Sequence, residues 1–250
     1  MLVSAVSARA RIGLLARTRR GLLGAALALA FAFAALLAGC GGSSSGNGVA
    51  SKSPAEILAA TKAAADGASS VHIAGRLSSG GSPIALDMYL ASGQGGRGKL
   101  AENGLSFELI VVDNSIYIKG SPAFYSHFGG SAAAQLFRGK WLKAPASSGE
   151  LASLASLTDL SKLIDQALTN TSSLVKGATT SLNGQPVVEL TDAAKDGSIY
   201  VATTGKPFPV QLVKHGSESG KVTFSGWNQP ITLTPPPNAI NLGAFAKEAH

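Results

Sequence analysis

The stretch IALDMYL, residues 84–90, places an apolar side chain at every second position. Because successive side chains of a β-strand point to opposite faces, this alternation predicts a strand with one apolar face. The stretch LSFELIVV, residues 105–112, follows the same rule. The apolar positions of the two stretches are Ile84, Leu86, Met88 and Leu90, then Leu105, Phe107, Leu109 and Val111.

Further alternating segments extend this pattern in both directions along the chain, and turns rich in Gly, Ser and Asn separate them. A first set of strands is predicted at 71–77, 84–91, 97–102, 105–112 and 115–119, and a second set at 174–180, 186–191, 197–203, 207–215 and 220–227. The spacing predicts an antiparallel sheet of about ten strands.

Helical segments precede the first set of strands and separate it from the second. Ser53, Pro54 and Glu56 form the pattern of a capped helix start, and Gly67 is a typical helix end. Residues 123–137 and 150–168 are also predicted to be helical. The fold class predicted from this order is α+β: a curved antiparallel half-barrel sheet with helices packed on its concave face.

The N-terminal region differs in composition from the rest. Five arginines and no acid occur in residues 1–39, and residues 21–38 contain only apolar residues and glycine. A basic segment followed by an apolar one is typical of an export signal. A retained transmembrane helix is the alternative, since about 20 apolar residues span a bilayer.

Cys40 is the single cysteine of the chain and follows Leu37, Ala38 and Gly39. This tetrapeptide resembles the bacterial lipobox, in which the cysteine sulfur carries a diacylglycerol with chains such as palmitate and the signal is cut before it. We therefore expect a lipoprotein signal peptide at 1–39 and a lipidated flexible tether at 40–54. An α+β domain at 55–237 and a C-terminal tail at 238–250 follow. The expected location is the outer face of the cell membrane, by lipid anchorage.

The chain's basic charge belongs largely to this signal. The 250 residues contain 21 basic and 14 acidic residues, and five of the basic ones are the arginines at 9, 11, 17, 19 and 20. The remainder is close to neutral, and its cations are not interleaved with aromatic residues. No nucleic-acid partner is therefore expected.

The alternating strands and the second helical region together supply a long aliphatic face. Such a face can pack as a solid core under the helices, or it can line an apolar cavity. Periodicity alone does not separate these two readings. The candidate cavity residues are Val71, Ile73, Leu86, Met88, Leu90, Phe107, Leu109, Val111, Ile118, Leu157, Ile164, Leu190, Val201, Leu212 and Phe224.

Four segments carry a resemblance to a known family. They are VVDNSIYI at 111–118, LNGQPVVEL at 182–190, GSIYVATTGKPFPVQLV at 197–213 and KVTFSGWNQPITLTPPP at 221–237. With the order helix, five strands, helices, five strands, they resemble the LppX/LprAFG family of actinobacterial lipoproteins. The resemblance implies a half-barrel similar to LolA and LolB, enclosing a cavity for acyl chains, and a role in carrying lipids or lipoglycans through the envelope.

No set of residues predicts catalysis. His72, His127, His215 and His250 are too far apart in sequence to indicate a local metal site, and no cofactor or enzyme activity is expected. The expected partners are a lipid or glycolipid, the membrane through acylated Cys40, and an envelope transporter, with the protein a monomer. The alternative is a tethered interaction or sensing module with a solid core and no lipid cargo.

Overall fold

The structure is a computed structural model that describes residues 46–149, 151–168, 173–194 and 196–243. The expected signal peptide, Cys40, the first part of the tether and the end of the tail lie outside the described residues. The described residues belong to one compact unit, Ser45–His250.

A single open sheet of twelve strands forms the body of this unit, in the order β12-β6-β5-β4-β3-β2-β1-β11-β10-β9-β8-β7. Neighbouring strands are antiparallel except for β12 and β6, which are parallel. The strands are β1 Ser70–Ser79, β2 Ser82–Ala91, β3 Gly95–Glu102, β4 Leu105–Val112, β5 Ser115–Gly120, β6 Leu142–Pro145, β7 Leu174–Leu182, β8 Gln185–Asp192, β9 Gly197–Ala202, β10 Pro209–Lys214, β11 Gly220–Ser225 and β12 Ile240–Asn241.

The ten expected strands are all present, and the two additional ones, β6 and β12, are the shortest of the sheet. The expected fold class, α+β with a curved and unclosed antiparallel sheet, is confirmed.

The described helices are α1 Pro54–Asp66, α2 Pro122–Leu136, α3 Leu151–Ser156 and α4 Leu160–Leu168. The predicted start of α1 is confirmed: the Ser53 hydroxyl accepts from the Glu56 amide while the Glu56 carboxylate accepts from the Ser53 amide. The single helix expected over 150–168 is two helices, since Leu157–Asp159 interrupts it. No described helix is long and apolar enough to cross a membrane.

The apolar face of the sheet packs against these helices. Cross-strand register places Ile73, Met88, Leu109 and Ile118 in one row across β1, β2, β4 and β5. Ile57 of α1 and Ile164 of α4 belong to the same core and are almost completely buried. Charged and polar side chains, such as Asp87, occupy the opposite face.

The segment before α1 is already part of the folded unit. The Asn47 amide donates to the Thr203 carbonyl at 2.7 Å, and the Asn47 side chain donates to the carbonyl oxygens of Ala202 and Gly205. Val49, in a short 3-10 helix at Val49–Ser51, is only 2% exposed. The tether expected at 40–54 is therefore packed on the domain from Asn47 onward.

Candidate functional site

A largely apolar cavity of about 570 Å³ lies between one edge of the sheet and two helices. Its sheet wall is built from β4, β5 and β6, and its helical walls come from α2 and α3. The lining residues are Glu102, Phe107, Ile116, Ile118, Phe124, Tyr125, Phe128, Gly129, Ala133, Phe137, Leu142, Ala144, Leu151, Ser153, Leu154 and Leu242.

The sheet wall follows directly from strand alternation. Ile116 and Ile118 on β5 and Leu142 and Ala144 on β6 point to the same face, and the pairs Ile116–Ala144 and Ile118–Leu142 lie opposite each other. All four side chains are buried. This wall is therefore a rigid aliphatic surface.

The helical wall is aromatic. Phe124 lies on Phe107 of the sheet with ring centroids 5.2 Å apart, and Phe128 follows it with centroids 4.8 Å apart. Phe137 contacts Tyr125 at 5.7 Å. Phe124 and Phe128 are four residues apart, which places them on the same side of a helix.

The start of α2 is fixed tightly to the sheet. Ser121 caps the helix by accepting from the Phe124 amide at 3.2 Å, and Pro122 occupies the first turn. Gly120 precedes the cap, and a Cβ at that position would come within 2.4 Å of the Phe124 ring. The missing side chain of Gly120 thus allows Phe124 to lie against the sheet.

Tyr125 joins the two ends of the α2 segment. Its hydroxyl accepts from the Gly120 amide at 2.9 Å and donates to the Lys140 carbonyl at 3.2 Å. Burial raises the pKa of the Tyr125 hydroxyl, so the group stays protonated and can keep donating. The loop from Phe137 to Lys140 is held beside β5 by this side chain.

A kink divides α2 next to the cavity. Gly130 has φ +74° and ψ −177°, a conformation open essentially to glycine. Just before it, Phe128 lines the cavity and is also 68% exposed. A side chain that belongs both to the lining and to the surface marks the mouth of the cavity, so the mouth lies at the kink of α2.

The chemistry of the cavity suits an apolar ligand. Glu102 is the acidic residue of the lining, and it is exposed at the end of β3. Within the described residues no group of three His, Cys, Asp or Glu side chains could hold a metal ion. The lining offers apolar surface and few polar groups, which is typical of sites for small apolar molecules, whose volumes are about 300–1,000 Å³.

Two other hollows are larger but have more charged residues in their linings. One, of about 810 Å³, lies on the opposite face of the sheet and has Arg76, Asp87, Lys99 and Glu108 among its lining residues. The other, of about 720 Å³, lies beside α4 and has Asp192 among its lining residues. Charged surface of this kind disfavours an acyl chain, so size alone does not identify the apolar site.

The sequence-derived cavity residues all belong to the described part of the chain, but the structure distributes them over the whole apolar face. Phe107 and Ile118 line the cavity. The remaining buried ones lie in the core outside it: Val71, Ile73, Met88, Leu90, Leu109, Ile164, Leu190, Val201 and Phe224. The half-buried ones outside it are Leu86, Val111, Leu157 and Leu212.

Most residues of the cavity wall were not predicted from the sequence. Phe124 and Phe128 lie in a segment that was expected to be helical, and their four-residue spacing was an available signal. Leu142 and Ala144 alternate with Lys143, but a strand of four residues gives too short a pattern to identify. The position of Leu242 depends on the path of the chain after β11, which carries no periodicity.

The fold and the site together define an α+β protein with an open, curved antiparallel sheet and an apolar cavity under its helices. No protein-family model and no curated protein matches the chain. Solved structures do match. LprF from Mycobacterium bovis is 15% identical, with a TM-score of 0.49 and coverage of 73% of this chain and 96% of that chain.

LppX from Mycobacterium tuberculosis is 19% identical, with a TM-score of 0.47 and coverage of 73% of this chain and 100% of that chain. A LolA superfamily protein from Nitrosomonas europaea is 9% identical, with a TM-score of 0.23 and coverage of 75% of this chain and 96% of that chain. LprF and LppX are lipoproteins of the family that the sequence resembles. All three TM-scores lie below 0.5, so these likenesses carry no argument about function.

Proposed function

We propose that the protein binds the acyl chains of a lipid or glycolipid in the cavity between α2, α3 and the sheet, and carries or presents them in the cell envelope. The observation that carries this proposal is a cavity of about 570 Å³ whose walls are almost entirely aliphatic and aromatic. Its mouth, marked by Phe128, gives a chain a way in from the surface.

The energetics favour a cavity that is occupied. Empty apolar space costs stability because the side chains that line it lose packing contacts. The cavity must therefore hold a ligand, admit water through its mouth, or close.

Transfer between a bilayer and this cavity would be nearly balanced. An acyl chain exchanges one apolar environment for another, and only exposure to water, at about 0.8 kcal/mol per methylene, opposes the move. A protein held at a membrane surface shortens that exposure. The proposal therefore includes export and anchorage through a lipidated Cys40.

The test is a cavity-filling substitution. Leu154 of α3 lines the cavity and is half-buried, so Leu154→Trp should occupy the space of a chain. We expect native mass spectrometry of wild-type protein purified from cells to show bound lipid. Leu154→Trp should lose most of it, with a melting temperature within a few degrees of wild type.

Leu163→Trp is the matched control, since Leu163 of α4 is also half-buried but does not line the cavity. It should keep the lipid. Equal lipid content in wild type and both variants would contradict binding in this cavity. A wild-type protein that never carries lipid would favour the alternative, a tethered interaction or sensing module. The dense packing of Leu90, Leu109 and Leu190 elsewhere on the face suits that alternative.

A further inference from the structure

Two of the three strongly exposed large apolar side chains in the described residues lie on α2, close to the cavity mouth. Phe128 is 68% exposed and Leu136 is 54% exposed, while the third, Val175, lies on β7 at the far edge of the sheet. The kink at Gly130 lies between Phe128 and Leu136. Apolar side chains that remain exposed beside an opening indicate an interaction surface.

The chain segment that carries these side chains is basic. From Asn114 to Gly149 the chain contains four cations, Lys119, Arg138, Lys140 and Lys143, and no acidic residue. Lys119 forms an ion pair with Glu108 and lies over Trp141, and Lys143 lies over Tyr117. Arg138 and Lys140 make no salt bridge with the described residues and are both exposed, directly after Leu136.

Phe128 and Leu136 are exposed apolar side chains, and the exposed cations Arg138 and Lys140 follow Leu136 closely in the chain. Exposed apolar side chains with adjacent cations are the composition of a surface that lies at a membrane interface. Arg138 and Lys140 are unpaired within the described residues, and anionic lipid headgroups are complementary to them.

We infer that Phe128, Leu136, Arg138 and Lys140, together called the α2 tip, dock the protein onto a bilayer that contains anionic lipids. The apolar pair enters the interface and the two cations contact lipid phosphates. The α2 tip lies apart from the N-terminal segment, which Asn47 fixes at the end of the sheet where β9 ends and β10 begins. By antiparallel register, α2 follows the other end of β5, at the opposite end of the strands.

The test uses the chain from residue 45 onward, which keeps the compact unit with its own core and omits the export signal and Cys40. Sedimentation with vesicles of phosphatidylcholine, with or without phosphatidylglycerol, measures binding. We expect binding to the anionic vesicles, and a large loss of it when salt is raised. Leu136→Asp, or Arg138→Glu with Lys140→Glu, should lower the partition coefficient tenfold or more.

The matched controls carry the same changes elsewhere. Val175→Asp places an acid at an exposed apolar position of β7, and Lys99→Glu with Lys221→Glu reverses two exposed cations of β3 and β11. Both control variants should bind the anionic vesicles with a partition coefficient within about twofold of that of wild type. Three outcomes would overturn the docking surface. They are no vesicle binding by wild type, equal binding to both vesicle types, and equal losses of vesicle binding in the α2 tip variants and the control variants.

Lipid content separates this inference from the proposed function. Leu136, Arg138 and Lys140 do not line the cavity. Their variants should therefore retain any co-purified lipid by native mass spectrometry while losing vesicle binding. Lipid loss without loss of vesicle binding would instead count against the docking role of these residues.

Discussion

Tyr125 offers a clean test of how the cavity wall is held. Tyr125→Phe removes the hydroxyl that accepts from the Gly120 amide and donates to the Lys140 carbonyl. The buried Gly120 N–H then lacks this partner, which should lower the free energy of unfolding by about 1–3 kcal/mol in urea titrations.

Tyr117→Phe is the control: that ring is also buried, but its hydroxyl makes no hydrogen bond within the described residues. It should change stability by less than about 0.5 kcal/mol. Equal effects would mean that the Tyr125 hydrogen bonds contribute nothing.

Gly120 tests the close approach of α2 to the sheet. In Gly120→Ala the new Cβ would lie 2.4 Å from one Phe124 ring carbon and 3.2 Å from the Phe124 Cβ, so rotating the ring does not relieve the whole contact. The helix start must move, and we expect a loss of about 1–3 kcal/mol with reduced lipid retention. Gly67→Ala is the control, since Gly67 has φ −85° and its Cβ would meet only ordinary contacts. Thermal unfolding measures the stability of both variants. A Gly120→Ala variant as stable as wild type would show that the cavity wall can move to accept the added Cβ.

Helix α1 shows how an element's stability depends on pH. The Ser53 hydroxyl, then the Ser53 amide, donate hydrogen bonds that lower the pKa of Glu56. A lowered folded-state pKa gives stabilisation that is present above the unfolded pKa, about 4.3, and is lost as pH falls through the folded value. Ser53→Ala should cost about 1 kcal/mol at neutral pH, and its difference from wild type should shrink in acid. Urea unfolding at pH 7 and at about pH 3 checks this, and a constant difference would contradict it.

Helices and strands with a long local pattern could be predicted from the sequence. Very short strands, and features that depend on contacts between distant parts of the chain, could not. The start of α1 depends on Ser53, Pro54 and Glu56, which are neighbours in the chain, and β4 repeats its alternation over eight residues. Strand β6 has four residues and exists because β5 pairs with it. The cavity depends on where α2 approaches the sheet, which Gly120 and Gly130 set through contacts and backbone angles that no periodicity encodes.

The proposed function and the proposed α2 tip would together give the molecule two modes of membrane attachment of unequal strength. Each acyl methylene on Cys40 would contribute about 0.8 kcal/mol, so two or more chains hold firmly. Partial burial of Phe128 and Leu136 contributes at most about 1.5–3 kcal/mol each, and the nearby cations add an amount that salt screens. On this proposal the anchor would determine whether the protein stays on the membrane, and the α2 tip would determine where the cavity mouth faces.

Cys40→Ser separates these contributions in the full chain. In cells given radiolabelled palmitate, wild-type protein should carry label and sediment with membranes, and salt washing should not release it. Cys40→Ser should carry no label, and the form of it from which the signal has been cut would be held by the α2 tip alone, so salt should release that cut form. Arg138→Glu with Lys140→Glu should keep both label and membrane association, because the acyl chains alone suffice. Label that persists in Cys40→Ser would show that Cys40 is not the acylated residue, and a wild-type protein that carries no label yet resists the salt wash would show that a retained apolar segment at 21–38 holds it instead.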